Sequence, residues 1–173
     1  MAAGHVFTVR RTASIGDAIA ASVVVQKLKE QGHTVQYQTH GNIHAVMKFS
    51  LHTDRLQIPK GFCNVNLDGC YEQHPDRAKR TFTDLFLESA NTQLRVYGIQ
   101  LNSANALPAL KIPDQTRAIA EAKFNKHPRP WIFCSPRSNS YRVRQTPDAL
   151  WVELLPLLPG TKFWIGQHPA PAG

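Results

Sequence analysis

The sequence is poor in cysteine, in acidic residues and in long apolar runs. Cys63, Cys70 and Cys134 are the only thiols in 173 residues, and none sits in a C-x-x-C pair. Three cysteines cannot all pair, which argues against a disulfide scaffold or a zinc ribbon. A reduced, cytoplasmic setting is the expectation. No apolar run approaches the roughly 18 residues of a membrane-spanning helix. The first residues lead into a short strand-like run carrying Arg10 and Arg11, without the apolar core of a secretory signal. Neither G-x-G-x-x-G nor G-x-x-x-x-G-K-[ST] occurs, so the usual dinucleotide and P-loop fingerprints are missing.

What is present suits a folded chain. Hydrophobic residues make up 42% and charged residues 18%, enough for a core and against wholesale disorder. The length fits one domain, or one and a piece. Lys and Arg total 20 against 12 Asp and Glu, for a net charge of +8. The last third holds Arg137, Arg142 and Arg144 close together. Guanidinium forks match phosphate oxygens, so nucleic acid, an anionic membrane surface or a nucleotide would each suit this cluster. A plain solvated basic face is the competing reading. Binding of nucleic acid is not expected. The helix read near residues 77–97 is mixed in charge, and the aromatics fall on apolar faces rather than between basic residues.

The chain alternates strand and helix. Val6, Phe7 and Val9 start a strand. A turn over residues 12–17 opens a helix to Gln31, with Ile15, Ala18, Ile19, Ala21, Val25 and Leu28 on one face. Thr34 to Thr39 alternates as a second strand, and Asn42 can cap a short helix from His44 to Phe49. Short strands follow at residues 54–58 and 64–67. Helices are expected at 76–97, with Phe82, Phe86 and Leu94 as core, and at 114–126. The His127-Pro128-Arg129-Pro130 breaker precedes a strand at 131–134, a polar loop, a helix at 147–158 and a strand at 162–165. This pattern predicts an α/β fold with a Rossmann-like parallel sheet and helices on both faces, followed by an incomplete second Rossmann-like unit. The boundaries read as 1–126 and 127–173. Because one strand–helix–strand cannot cover a parallel sheet, the chain is expected to be the front part of a longer two-domain protein.

The turn at residues 12–17 lies where open α/β sheets bind ligands, at the carboxyl end of a strand and the start of a helix. Gly16 permits a sharp turn or close backbone approach. Asp17 near the positive helix end would stay ionised, and such a carboxylate can take a proton from a hydroxyl. Asp in a first helical turn is also common for stability alone, so the residues leave both readings open. Arg10 and Arg11 read equally as a solvated strand end. Asp68 and Glu72 read as a surface turn, with contact to a ligand as the alternative. His40 and His44 stand four apart, but a helix start between them argues against a metal pair.

Arg11-Thr12-Ala13-Ser14-Ile15-Gly16-Asp17-Ala18-Ile19, followed by Val23-Val24-Val25-Gln26-Lys27-Leu28-Lys29, resembles the opening of the ADP-heptose:lipopolysaccharide heptosyltransferases. These are GT-B enzymes of glycosyltransferase family 9. A second stretch, Ser135-Pro136-Arg137-Ser138 with Arg144-Gln145-Thr146-Pro147 and Trp151, is similar to the loop that opens the family's donor domain. In that loop Arg144 stands where Lys is usual and Thr146 where Trp is usual. The resemblance implies an inverting, metal-independent transfer of a heptose-like sugar from a nucleoside-diphosphate donor, an ADP-sugar being favoured, with no separate cofactor. It implies Asp17 as general base. Arg11, Thr12, Ser14 and Gly16 would line the acceptor side, and Arg137, Ser138 and Arg144 would hold the donor phosphates. The acceptor would be a glycan or lipid-linked sugar, with peripheral association at the inner membrane surface. The competing expectation is a non-catalytic nucleotide- or sugar-binding α/β domain.

Overall fold

The structure is a computed structural model that describes residues 4–48, 53–103, 106–108, 110–134 and 147–164. Two compact units divide the chain at Pro113 and Asp114.

The first unit is built around a four-stranded parallel sheet. Its strands are β1 (Val6–Arg10), β2 (Thr34–Gln38), β3 (Arg55–Gln57) and β4 (Val65–Asn66), in the order β3-β2-β1-β4. Helices α1 (Ile15–Glu30), α2 (Gly41–Met47) and α3 (Phe82–Leu94) flank it. This is the Rossmann-like α/β arrangement. Strand pleating places Phe7, Val9, Val35, Tyr37, Val65 and Leu67 in the core, where they meet Leu28 of α1, Ile43 and Met47 of α2, and Phe86 and Leu94 of α3. Each such large apolar side chain stabilises the fold by about 1.5–3 kcal/mol. Apart from Val6, the alternate strand positions are polar. Arg10 Nε donates to Gln38 Oε1 at 2.8 Å and Gln57 Nε2 to Gln36 Oε1 at 2.9 Å, cross-linking neighbouring strands.

Helix α1 buries Ala18, Ala21, Ser22, Val23, Val24, Val25 and Leu28. Three successive valines are covered because the sheet, α2 and α3 enclose the middle of the helix. Ile15, expected on the buried face, is instead 45% exposed at the first helical position, beyond the sheet edge. Helix α2 begins at Gly41 after His40, so Asn42 is not its cap. The helix expected from residue 76 starts six residues later. Thr81 Oγ1 accepts from Asp84 N at 3.2 Å and fixes the start there, while residues 69–79 form turns. Phe82 is therefore not core. It is 42% exposed, with its ring 4.0 Å from that of Tyr71.

The second unit contains α4 (Asp114–Phe124), β5 (Trp131–Cys134), α5 (Asp148–Leu154) and β6 (Thr161–Trp164), with β5 and β6 paired in parallel. Helix α4 clusters here rather than with the first unit, where the breaker at residues 127–130 had placed it. Phe124 supplies the reason, since its ring lies 4.8 Å from Phe163 and 5.3 Å from Phe133. Arg129 lies over the Trp131 ring at 4.1 Å. No described helix is long and apolar enough to cross a membrane.

Candidate active site

Chain order and strand order together locate the candidate site. The chain steps outward from β1 to β2 to β3, then returns to the other side of β1 with β4. The loops after β1 and β4 therefore lie side by side at the carboxyl edge of the sheet, the edge where open α/β sheets take ligands, and the helices that follow them, α1 and α3, pack against each other. Residues 11–14 follow β1 and residues 67–72 follow β4. Hydrogen bonds join the two loops. Thr12 N donates to Asp68 Oδ1 at 2.6 Å, and Gly69, with φ of +76°, makes the turn that carries the chain on to Glu72.

Asp17 stands in the first turn of α1, 20% exposed at the side chain. Its Oδ2 accepts from the Ser14 hydroxyl at 2.7 Å and from Ser14 N at 3.2 Å, so the carboxylate also closes the helix start. Its Oδ1 lies 3.5 Å from Arg11 Nη2.

Arg11 is the feature the sequence did not disclose. It is 1% exposed, so neither it nor its backbone is a solvated strand end. Nη2 donates to Glu72 Oε1 at 2.6 Å, and Nη1 donates to Glu72 Oε2 at 3.2 Å and to the Leu67 carbonyl at 2.9 Å. The guanidinium carbon sits 5.1 Å from the centre of the Phe86 ring. Burial opposes the charge on Arg11, yet the Glu72 hydrogen bond and the Glu72 and Asp17 charges outweigh it and raise its pKa. The bond from Arg11 holds the Glu72 carboxyl below the usual carboxylate range. Glu72 thus belongs to a linked cluster rather than to an unconnected surface turn, although its side chain remains 49% exposed. Burial pushes the Cys70 thiol up, which makes it a poor nucleophile.

The structure therefore brings Arg11, Thr12, Ser14, Gly16 and Asp17 to one edge, and adds Asp68 and Glu72. Gly16 has ordinary backbone angles, and a Cβ there would meet nothing closer than Ser14 Oγ at 3.9 Å. Nothing in the fold requires this glycine. Arg10 is turned away onto Gln38 and the Gly61 carbonyl. His44 Nε2 lies against the carbonyls of Thr39 and Gln57, a structural role, and His40 precedes α2. Arg137, Ser138 and Arg144 lie outside the described residues. Among the described residues, no group of three or more His, Cys, Asp or Glu side chains is arranged to hold a metal ion.

Neither a family model nor a curated protein matches the chain. A solved structure does, the E. coli heptosyltransferase WaaC with ADP, at a TM-score of 0.61. The fold is shared with a glycosyltransferase. The match covers 95% of this chain and 67% of WaaC, at 9% sequence identity. At that identity the likeness is one of fold. With 95% of the chain covered, it extends into both units.

Proposed function

We propose that the protein is a glycosyltransferase that moves a sugar from a nucleoside-diphosphate donor to a hydroxyl of a glycan or lipopolysaccharide-type acceptor. The observation that carries this reading is Asp17. It is a partly exposed carboxylate at the carboxyl edge of a parallel sheet whose fold is shared with a heptosyltransferase. Ser14 holds one of its oxygens, and a buried guanidinium stands beside the other.

The transfer is a single inverting displacement. The acceptor O–H bond breaks and its proton passes to Asp17. The acceptor oxygen forms a bond to the anomeric carbon. The bond from that carbon to the diphosphate oxygen breaks, and its electron pair leaves with the nucleoside diphosphate. We assign Thr12, Ser14 and Gly16 to the acceptor side; Arg11, expected there as well, is 1% exposed and stands instead against Asp17. Arg137, Ser138 and Arg144 are assigned to the leaving diphosphate through charge-assisted hydrogen bonds, in a mechanism that needs no metal. WaaC was solved with ADP, which favours an ADP-sugar with a heptose-like sugar as donor.

The test is release of ADP from ADP-heptose by the full-length protein, with and without a deacylated lipopolysaccharide acceptor. Acceptor-dependent release, with an inverted anomeric centre in the product, is the expected result. Binding of the donor without release would make the protein a nucleotide-sugar-binding domain instead.

A further inference from the structure

We propose that Glu72 is a positioning residue that acts through Arg11 on Asp17. The inference rests on the reading of Asp17 as the proton acceptor. Arg11 bridges two carboxylates, Asp17 at the start of α1 and Glu72 on the loop after β4. The two partners are not equal. Glu72 takes both ends of the guanidinium, at 2.6 Å and 3.2 Å, whereas Asp17 lies at 3.5 Å, beyond ordinary N–H···O length. Glu72 therefore holds the fork away from Asp17 and leaves Oδ1 without a tight bond from it. The Leu67 carbonyl and the Phe86 ring fix the guanidinium in the same place.

This arrangement does two things for a proton acceptor. It keeps a lone pair of Asp17 open to an incoming hydroxyl. It also keeps Arg11 paired while Asp17 is protonated. Arg11 is 1% exposed, and a buried cation left without a counter-charge is strongly unfavourable. When the acceptor proton reaches Asp17, Glu72 remains as the counter-ion. Without Glu72, protonation of Asp17 would strand the guanidinium, and transfer would be opposed. The remaining titratable groups around this cluster are Asp68 on the β4 loop, Cys70 beside Arg11, and Tyr37 of β2. Arg77 faces Glu72 from the far side, and its Nη1 donates to the Glu72 carbonyl at 2.6 Å.

Glu72 is half exposed, so its substitution does not open a hole in the core. The first readout is the crystal structure of Glu72→Gln in the full-length protein. The expected result is a contraction of the Arg11 Nη2 to Asp17 Oδ1 distance from 3.5 Å to hydrogen-bond length, about 3 Å. An unchanged distance would overturn the proposal. This readout needs no activity, so it stands even if the transferase reading fails. The second readout is kinetic, on ADP release from ADP-heptose. Glu72→Gln should lower kcat by about tenfold or more, the scale of one charge-assisted bond. KM for either substrate should stay nearly constant, and the acidic limb of the rate profile should move to lower pH. Glu72→Asp, which keeps the charge, should recover most of the rate. Equal loss in both variants, tracking a loss of thermal stability, would reduce Glu72 to a structural residue.

Discussion

At the scale of single residues, Arg11 and Gly16 carry the account in opposite ways. Arg11 looks misplaced by type, a charged group buried beside the core, and is explained only by its partners. Gly16 looks misplaced by conformation. It occupies the first turn of α1 with ordinary backbone angles and open space where a side chain would stand. Glycine in a helix interior is destabilising by about 1 kcal/mol relative to alanine. In the proposed reaction the missing side chain is room for the acceptor. Gly16→Ala should therefore melt at the same temperature as the parent protein or higher. Its KM for the acceptor should rise about tenfold, equivalent to roughly 1.4 kcal/mol of binding. A lower melting temperature with unchanged KM would place the need for glycine in the fold instead.

At the scale of elements, helix α1 does most to position the site, because its first turn holds Asp17 and its middle is locked into the core. Leu28→Ala should cost about 2–5 kcal/mol in a urea titration, since Leu28 is fully buried. Ile119→Ala on the exposed helix α4 should change stability by no more than about 0.5 kcal/mol, its side chain being 65% exposed. The strands, the presence of α1 and the parallel sheet were legible in the sequence because Val, Phe and Leu recur in short runs between turns, although α1 begins at Ile15, inside the turn expected over residues 12–17. The place of Asp17 at the start of α1 was legible because it directly follows Gly16 in the turn after the first strand, whereas its proposed role came from the family resemblance. Glu72 was legible only as a turn residue. Its partner is 61 positions away along the chain, and no local pattern announces a pairing that depends on β4 returning beside β1. The start of α3 was misread for a local reason. The apolar period begins only at Phe82, and the Thr81 cap fixes the first turn there, after the charged run at residues 76–80.

At the scale of the whole molecule, basic charge dominates, and several of the described carboxylates are held in ion pairs. Glu72 pairs with Arg11, Asp54 with Lys29, and Glu88 with Arg80. Bonds from Arg11 and Arg80 hold Glu72 and Glu88 below their ordinary range. For Asp54, burial works the other way, and bonds from Lys29 and the Val35 amide outweigh it. Each of these groups releases its proton more readily folded than unfolded. Their contribution to stability is thus complete above the unfolded carboxyl values near pH 4 and is lost as pH falls through the lower folded values. His33 adds to the same trend from a higher pH, because burial, aided by His5, lowers its pKa. The urea midpoint should fall steadily below about pH 6.5 and more steeply below about pH 4. In Asp54→Asn the acid-side drop should be smaller, the two curves converging at low pH.

The central claim is that Asp17 receives the acceptor proton. The most direct test compares turnover of Asp17→Ala with that of the unaltered full-length protein, using ADP-heptose and the deacylated acceptor, with donor affinity measured in parallel. The account predicts turnover lower by about 100-fold or more, the scale of a lost general base, with donor affinity unchanged. Turnover within a few-fold of the unaltered protein would contradict it.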